Sequence, residues 1–144
     1  MKYDVLFYKS RKTSYCEKAL KAKLSTINMS TNRIIASVAP TKLGETLCES
    51  LTLCNCVIII GGFAVNDNEN ITTVLSRAMS NSGLNLKNAR KLKGAIYDGY
   101  IIKLNKQMII ALPDNPEEID FLLNENFLLY LSSVYSTDIE NENE

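Results

Sequence analysis

The residues of this chain best suited to chemistry fall in two stretches. Gly61-Gly62-Phe63-Ala64-Val65-Asn66-Asp67-Asn68-Glu69-Asn70 follows the most apolar run of the sequence, Val57 to Ile60, and Leu112-Pro113-Asp114-Asn115-Pro116 begins fifty residues after Gly62. Paired carboxylates such as Asp67 and Glu69 suit two jobs. They can hold a hard cation such as Mg2+, which prefers carboxylate oxygens, or they can precede a helix and stabilise its positive end without any ligand. Asp98 and Asp114 read first as turn formers. Their alternative is to complete, with Asp67 and Glu69, a rim of four carboxylates that would demand a metal.

Histidine and tryptophan are absent, which excludes Ser-His-Asp and Cys-His relays, imidazole zinc sites and imidazole acid/base catalysis. Any chemistry must therefore use carboxylates, lysines, backbone amides or a borrowed ion. The four cysteines, Cys16, Cys48, Cys54 and Cys56, include a C-x-C rather than a C-x-x-C, and no second ligand pair stands at a zinc-like spacing. They read as reduced thiols that behave as small core residues.

A scaffold must position those stretches, and 144 residues, 46% of them hydrophobic and 22% charged, make one domain of ordinary size. Sixteen basic residues offset sixteen acidic ones, so no overall field favours nucleic acid or an anionic membrane. The last seven residues hold four carboxylates and no base. Residues 1–137 are accordingly expected to form the domain, with a net charge of +4, and 138–144 to fray as an acidic tail. Basic residues gather at Lys9, Arg11, Lys12, Lys18, Lys21 and Lys23, and again at Lys87, Arg90, Lys91 and Lys93, as solvated faces or as an anion-binding rim. No apolar run approaches the ~20 residues of a membrane span and the first residues form no secretory signal, so a cytoplasmic location is expected.

The elements alternate. Tyr3 to Tyr8 reads as a strand, Ser14-Tyr15-Cys16-Glu17 as a capping box opening a helix to Leu24, and Arg33 to Val38 as a second strand. Leu43, Leu47 and Leu51 stripe a helix that leads to Val57–Ile60, a strand buried on both faces. Asn70 caps a helix through Ile71, Val74, Leu75, Ala78 and Met79, and Leu84 to Leu92 reads as a connection. Tyr100–Leu104 and Gln107–Leu112 form a hairpin, and Asn115 with Pro116 starts a last helix to Val134. This order predicts an α/β fold with three α-β-α layers, a mainly parallel sheet and an antiparallel edge hairpin. Sheets of this kind bind ligands at the carboxyl ends of their strands, where the Gly61–Asn70 and Pro113–Pro116 loops emerge.

A Gly-Gly loop after a hydrophobic strand, paired with a Leu-Pro-x-x-Pro loop that opens a helix, resembles the molybdopterin-binding domain shared by MoaB, MogA, MoeA and CinA. Ile59 to Glu69 is similar to the family's Gly-Gly-x-Ser-x-Gly-Asp-x-Asp, and Tyr97 to Pro116 to its run of Pro-Gly loop, hairpin and Leu-Pro-Gly-x-Pro. The resemblance covers Thr41 to Tyr135; the first forty residues match only as strand, helix, strand. It implies a phosphorylated pterin, molybdopterin, bound at the two loops, with nucleotide, Mg2+ or molybdate in company, and self-association as a trimer or dimer. Gly61 and Gly62 match the glycine pair, and Phe63, Ala64, Asn66 and Asn70 complete that ligand-binding loop. Asp67 and Glu69 match its carboxylates and take the implied catalytic and metal-binding roles. Gly99 matches the glycine of Pro-Gly, with Asp98 in place of its proline, while Pro113, Asp114 and Asn115 line the second loop.

The departures from the pattern have physical consequences. Phe63-Ala64 removes a hydroxyl that would bond phosphate, Asn66 replaces a glycine free to take positive φ, and Asp114 replaces a glycine with a fixed negative charge beside an anionic ligand. Two further readings follow: a catalytically silent member serving as a binding or assembly protein, and a CinA-type domain acting on a nucleotide pyrophosphate.

Overall fold

Val57-Ile58-Ile59-Ile60 has no polar face to offer solvent, which suits only the middle of a covered sheet. The computed structural model, which describes residues 1–63, 68–81, 89–104 and 106–142, places it there as β3 (Cys56–Ile60), every residue buried. The other strands are β1 (Lys2–Tyr8), β2 (Ser30–Val38), β4 (Ala89–Leu92), β5 (Gly99–Leu104) and β6 (Gln107–Leu112), in the order β2-β1-β3-β6-β5-β4. β2, β1, β3 and β6 run parallel, and β5 and β4 follow as an antiparallel edge.

Side chains alternate across a strand, so the sheet has two apolar faces. Tyr3, Val5, Phe7, Ile58 and Ile110 pack on Leu20 and Leu24 of α1 (Thr13–Leu24), Ile119 of α4 (Pro116–Leu122) and Phe127 and Leu131 of α5 (Glu125–Glu142). Leu6, Tyr8, Ile59 and Ile109 pack on Leu43 and Leu47 of α2 (Leu43–Leu53) and on Val74 and Leu75 of α3 (Ile71–Asn81). The three layers and the mixed sheet are those the alternation of elements predicts. Among the described residues, no helix is long and apolar enough to cross a membrane.

Several local features differ from the sequence reading. Helix α1 starts at Thr13 after Lys12, which takes a left-handed conformation and makes no side-chain cap; Glu17 turns away from the expected capping box to pair with Lys21 at 2.6 Å. Residues 89–92, expected in a connection, pair with β5, because an edge strand needs only one bonded neighbour and little apolar pattern. The last helix is two. The Leu123 amide closes α4 on the Ile119 carbonyl, and the Asn124 side chain accepts from the Phe127 amide to cap a new helix that reaches Glu142, beyond Val134 and into the expected tail.

At the amino end of β1, Asp4 is fully buried yet well satisfied. It accepts from the Asn32 side chain at 3.0 Å and from the Arg33 amide and Nε at 3.1 Å each, while Arg33 extends to Glu49 and Ser50 of α2. Burial raises its pKa, but the hydrogen bonds from Ser50, Asn32 and Arg33 and the Arg33 charge outweigh it and hold the carboxyl below its ordinary value of 3.8. A carboxylate depressed by folding contributes stability above its unfolded pKa and loses it as pH falls through the folded value. The wild type should therefore lose stability as pH is lowered below about 4, and Asp4→Asn should flatten that part of a denaturation-against-pH series. At neutral pH Asp4→Ala should cost about 3 kcal/mol in chemical denaturation, because it removes the buried acceptor of the Asn32 side chain and of the Arg33 amide and Nε, although Arg33 keeps Glu49.

All four cysteines are free, with Cys48 exposed and the others buried. Burial, then the Asp114 charge, pushes the Cys16 thiol up to about 11, and burial pushes Cys56 up to about 12. Only the thiolate attacks disulfide reagents. Native protein at pH 8 should accordingly label at Cys48, with the other three reacting only on unfolding, as mass spectrometry of modified peptides would show.

Candidate functional site

The parallel strands end together at Tyr8, Val38, Ile60 and Leu112, and the loops that leave them form one edge of the molecule. Gly61 and Gly62 have φ of 111° and 83°. The Gly61 amide donates to the Leu112 carbonyl at 2.9 Å, and a Cβ on Gly61 would lie 2.0 Å from the Tyr8 carbonyl oxygen. A Cβ on Gly62 would lie 2.6 Å from the Tyr8 ring, while the Gly62 carbonyl accepts from Ile71 at the start of α3. Both glycines are therefore required by the chain's own packing, since a Cβ at either would meet Tyr8, and at Gly61 also Ser10.

Because Gly61 closes on Tyr8, the segment after β1 passes over the sheet edge. Lys9 and Lys12 both take the left-handed region, with φ of 46° and 51°. Between them the Arg11 amide donates to Asp114 Oδ2 at 2.7 Å. Lys9 Nζ stands 3.4 Å from Glu69 Oε2, and Tyr8 donates its hydroxyl hydrogen to the Glu69 carbonyl. On the far side of this segment, between the ends of β1 and β2, opens a pocket of about 480 Å³ lined by Phe7, Lys9, Ser10, Arg11, Thr13, Val38, Ala39 and Pro40. Among the described residues its lining holds two cations and no carboxylate. Arg11 has no ion-pair partner among the described residues, and α1 starts at Thr13 without a side-chain cap from Lys12.

The residues singled out in the sequence take different places. Gly61, Gly62, Glu69 and Asp114 meet around the segment after β1. Asn70 caps α3, accepting from the Thr72 amide at 3.1 Å, and Asn115 caps α4, accepting from Glu117 and Glu118. Pro113 is buried. Phe63 stacks on Tyr100, centroids 6.0 Å apart and planes 12° off parallel, with Tyr97 on its other flank. Asp98 accepts from the Gly94 amide, a turn former, just before Gly99 opens β5. The same turn is held by buried Glu118, one of whose oxygens accepts from Ile96 while the other has no hydrogen-bond partner among the described residues. Ala64, Asn66 and Asp67 lie outside the described residues. Among the described residues no three His, Cys, Asp or Glu side chains gather to hold a metal; Asp67, a member of the expected four-carboxylate rim, lies outside them. The cationic side of the edge was visible in the sequence as Lys9, Arg11 and Lys12; their convergence with Val38 to Pro40 was not.

No family model and no curated protein matches the sequence. Solved structures do match the fold. The chain is similar to a molybdenum cofactor biosynthesis protein B, with a TM-score of 0.67 and 8% identity over 93% of this chain and 92% of that one. It is similar to the protein CinA from Thermoplasma acidophilum, described as of unknown function, with a TM-score of 0.66 and 13% identity over 85% and 93%. MogA matches with a TM-score of 0.60 and 18% identity over 93% and 99%. At these identities the likeness establishes a MoaB/MogA/CinA-like fold.

The tight approach at Gly61 makes a stability prediction. Gly61→Ala should lower the unfolding free energy by at least about 3 kcal/mol, since it adds both a positive-φ penalty and a backbone clash. A shift in the urea midpoint at unchanged slope would measure it.

Proposed function

We propose that this chain binds a phosphorylated pterin of the molybdopterin class at the carboxyl edge of its sheet, with the phosphate seated between the ends of β1 and β2. The observation that carries the reading is the pocket of about 480 Å³ with Lys9 and Arg11 in its lining and no carboxylate among the described residues that line it. Its size lies within the range of small-molecule sites. Phosphate recognition needs cationic donors and amides, and the guanidinium of Arg11 and the start of α1 offer both at one place. The fold is one that proteins of molybdenum cofactor biosynthesis also have. In this reading the Gly61–Asn70 and Pro113–Pro116 loops frame the site, and Glu69 acts on the ligand through Lys9, whose ammonium it orients. Chemistry beyond binding would rest on Glu69 with Asp67.

A second reading has its own observation. Tyr8 packs closely against Gly61 and Gly62, and Asp114 is engaged with backbone. A silent member of the fold, kept for binding or assembly with other proteins, would show the same packing.

Calorimetric titration with molybdopterin separates the two. Saturable micromolar binding is expected, with Arg11→Ala about tenfold weaker through loss of a charge-assisted hydrogen bond. Affinity should fall as salt is raised. No saturable binding at low salt would overturn the pterin reading and leave the silent one.

A further inference from the structure

The pocket is walled by a segment that does not hold itself in place. Lys9 and Lys12 both stand in a left-handed conformation that residues with a Cβ leave when nothing fixes them, and among the described residues two contacts tie the segment to other loops: the Lys9–Glu69 ion pair, and the hydrogen bond from the Arg11 N–H to Asp114 Oδ2, between residues 103 apart in sequence. Asp114 is itself rigidly mounted. Pro113 before it is buried, and Asn115 after it caps α4 through two amides. Asp114 is not among the residues lining the pocket, so its carboxylate meets the Arg11 backbone rather than the ligand.

We propose that Asp114 is a positioning residue for the anion pocket: its carboxylate latches the segment after β1 so that Lys9, Arg11 and the start of α1 face one space. The inference rests on the pocket being the ligand site. It turns the charge that stands where the resemblance would place a glycine from an obstacle to an anion into the means of shaping its site. The latch also couples the Leu-Pro loop to the loop after β1, so a change in either reaches the pocket.

The test compares two variants that both lack the charge. Asp114→Asn keeps a carbonyl oxygen to accept from the Arg11 amide, whereas Asp114→Ala keeps nothing. Inorganic phosphate is titrated into wild type and both variants and followed by the amide chemical shifts of Ser10, Arg11 and Thr13. Asp114→Asn should bind phosphate at least as tightly as wild type, having lost a like charge, and Asp114→Ala should bind about tenfold more weakly than Asp114→Asn. Hydrogen exchange at the Arg11 amide should quicken in Asp114→Ala and not in Asp114→Asn. Equal phosphate affinity in the two variants, with wild type binding, would overturn the latch and spare the pocket. Absence of phosphate binding by wild type would overturn the pocket and the positioning role together.

Discussion

The site end of this molecule depends on the contact between Gly61 and the Tyr8 carbonyl. With its amide bonded to Leu112 and its Cα against Tyr8, Gly61 ties the carboxyl ends of β1, β3 and β6 at a separation no other residue would permit. The route of the chain after β1 follows from that closure. Beyond it Lys9 and Lys12 stand in left-handed backbone, the Arg11 amide lies over Asp114, and α1 starts without a side-chain cap. A basic pocket beside β2 is the result. The pair of glycines serves that pocket indirectly, by what it lets the neighbouring strand do.

The two ends of the sheet divide the work of charge. At the amino end, Asp4 and Arg33 are bonded to one another and to α2, and the charges are satisfied inside the protein. At the carboxyl end, Lys9 pairs with Glu69 while Arg11 has no ion-pair partner among the described residues, and both line the pocket. Along the same edge the character changes. Over β1 and β2 it is cationic; over β6 and β5 it carries Phe63, Tyr97 and Tyr100 in ring contact and a turn held by Asp98 and Glu118. Both carboxylates there accept from backbone amides, which leaves the cationic half as the part of the edge suited to an anion.

Much of the scaffold was legible because it rests on local periodicity. The run Val57 to Ile60, the four-residue stripe from Leu43 and the hairpin of β5 and β6 each signal their element within a few residues, and the caps Asn70 and Asn115 announce theirs by type and position. The failures are places where a distant partner overrides a local signal. Ser14 and Glu17 have the spacing of a capping box, but the N-cap position falls on the left-handed Lys12, two residues earlier. Asn124 splits the last helix although the apolar stripe continues through Leu123, Phe127 and Leu131. Residues 89–92 pair with β5 with hardly any apolar pattern to mark them.

What this sequence determines by itself is the kind of fold and the two loops that border its carboxyl edge, since hydrophobic period, glycine and proline act over short range. What the tertiary structure decides is which parts of the protein the residues in those loops meet. Gly61, Gly62, Asn70, Asn115 and Asp114 all carry signals of a site, and each is committed to backbone packing or backbone amides. Lys9 and Arg11, indistinguishable in the sequence from a solvated basic cluster, become the pocket because Val38 to Pro40, remote in sequence, come to lie opposite them. Proximity between segments so far apart in the chain arises only when the sheet assembles, and no spacing along the sequence encodes it.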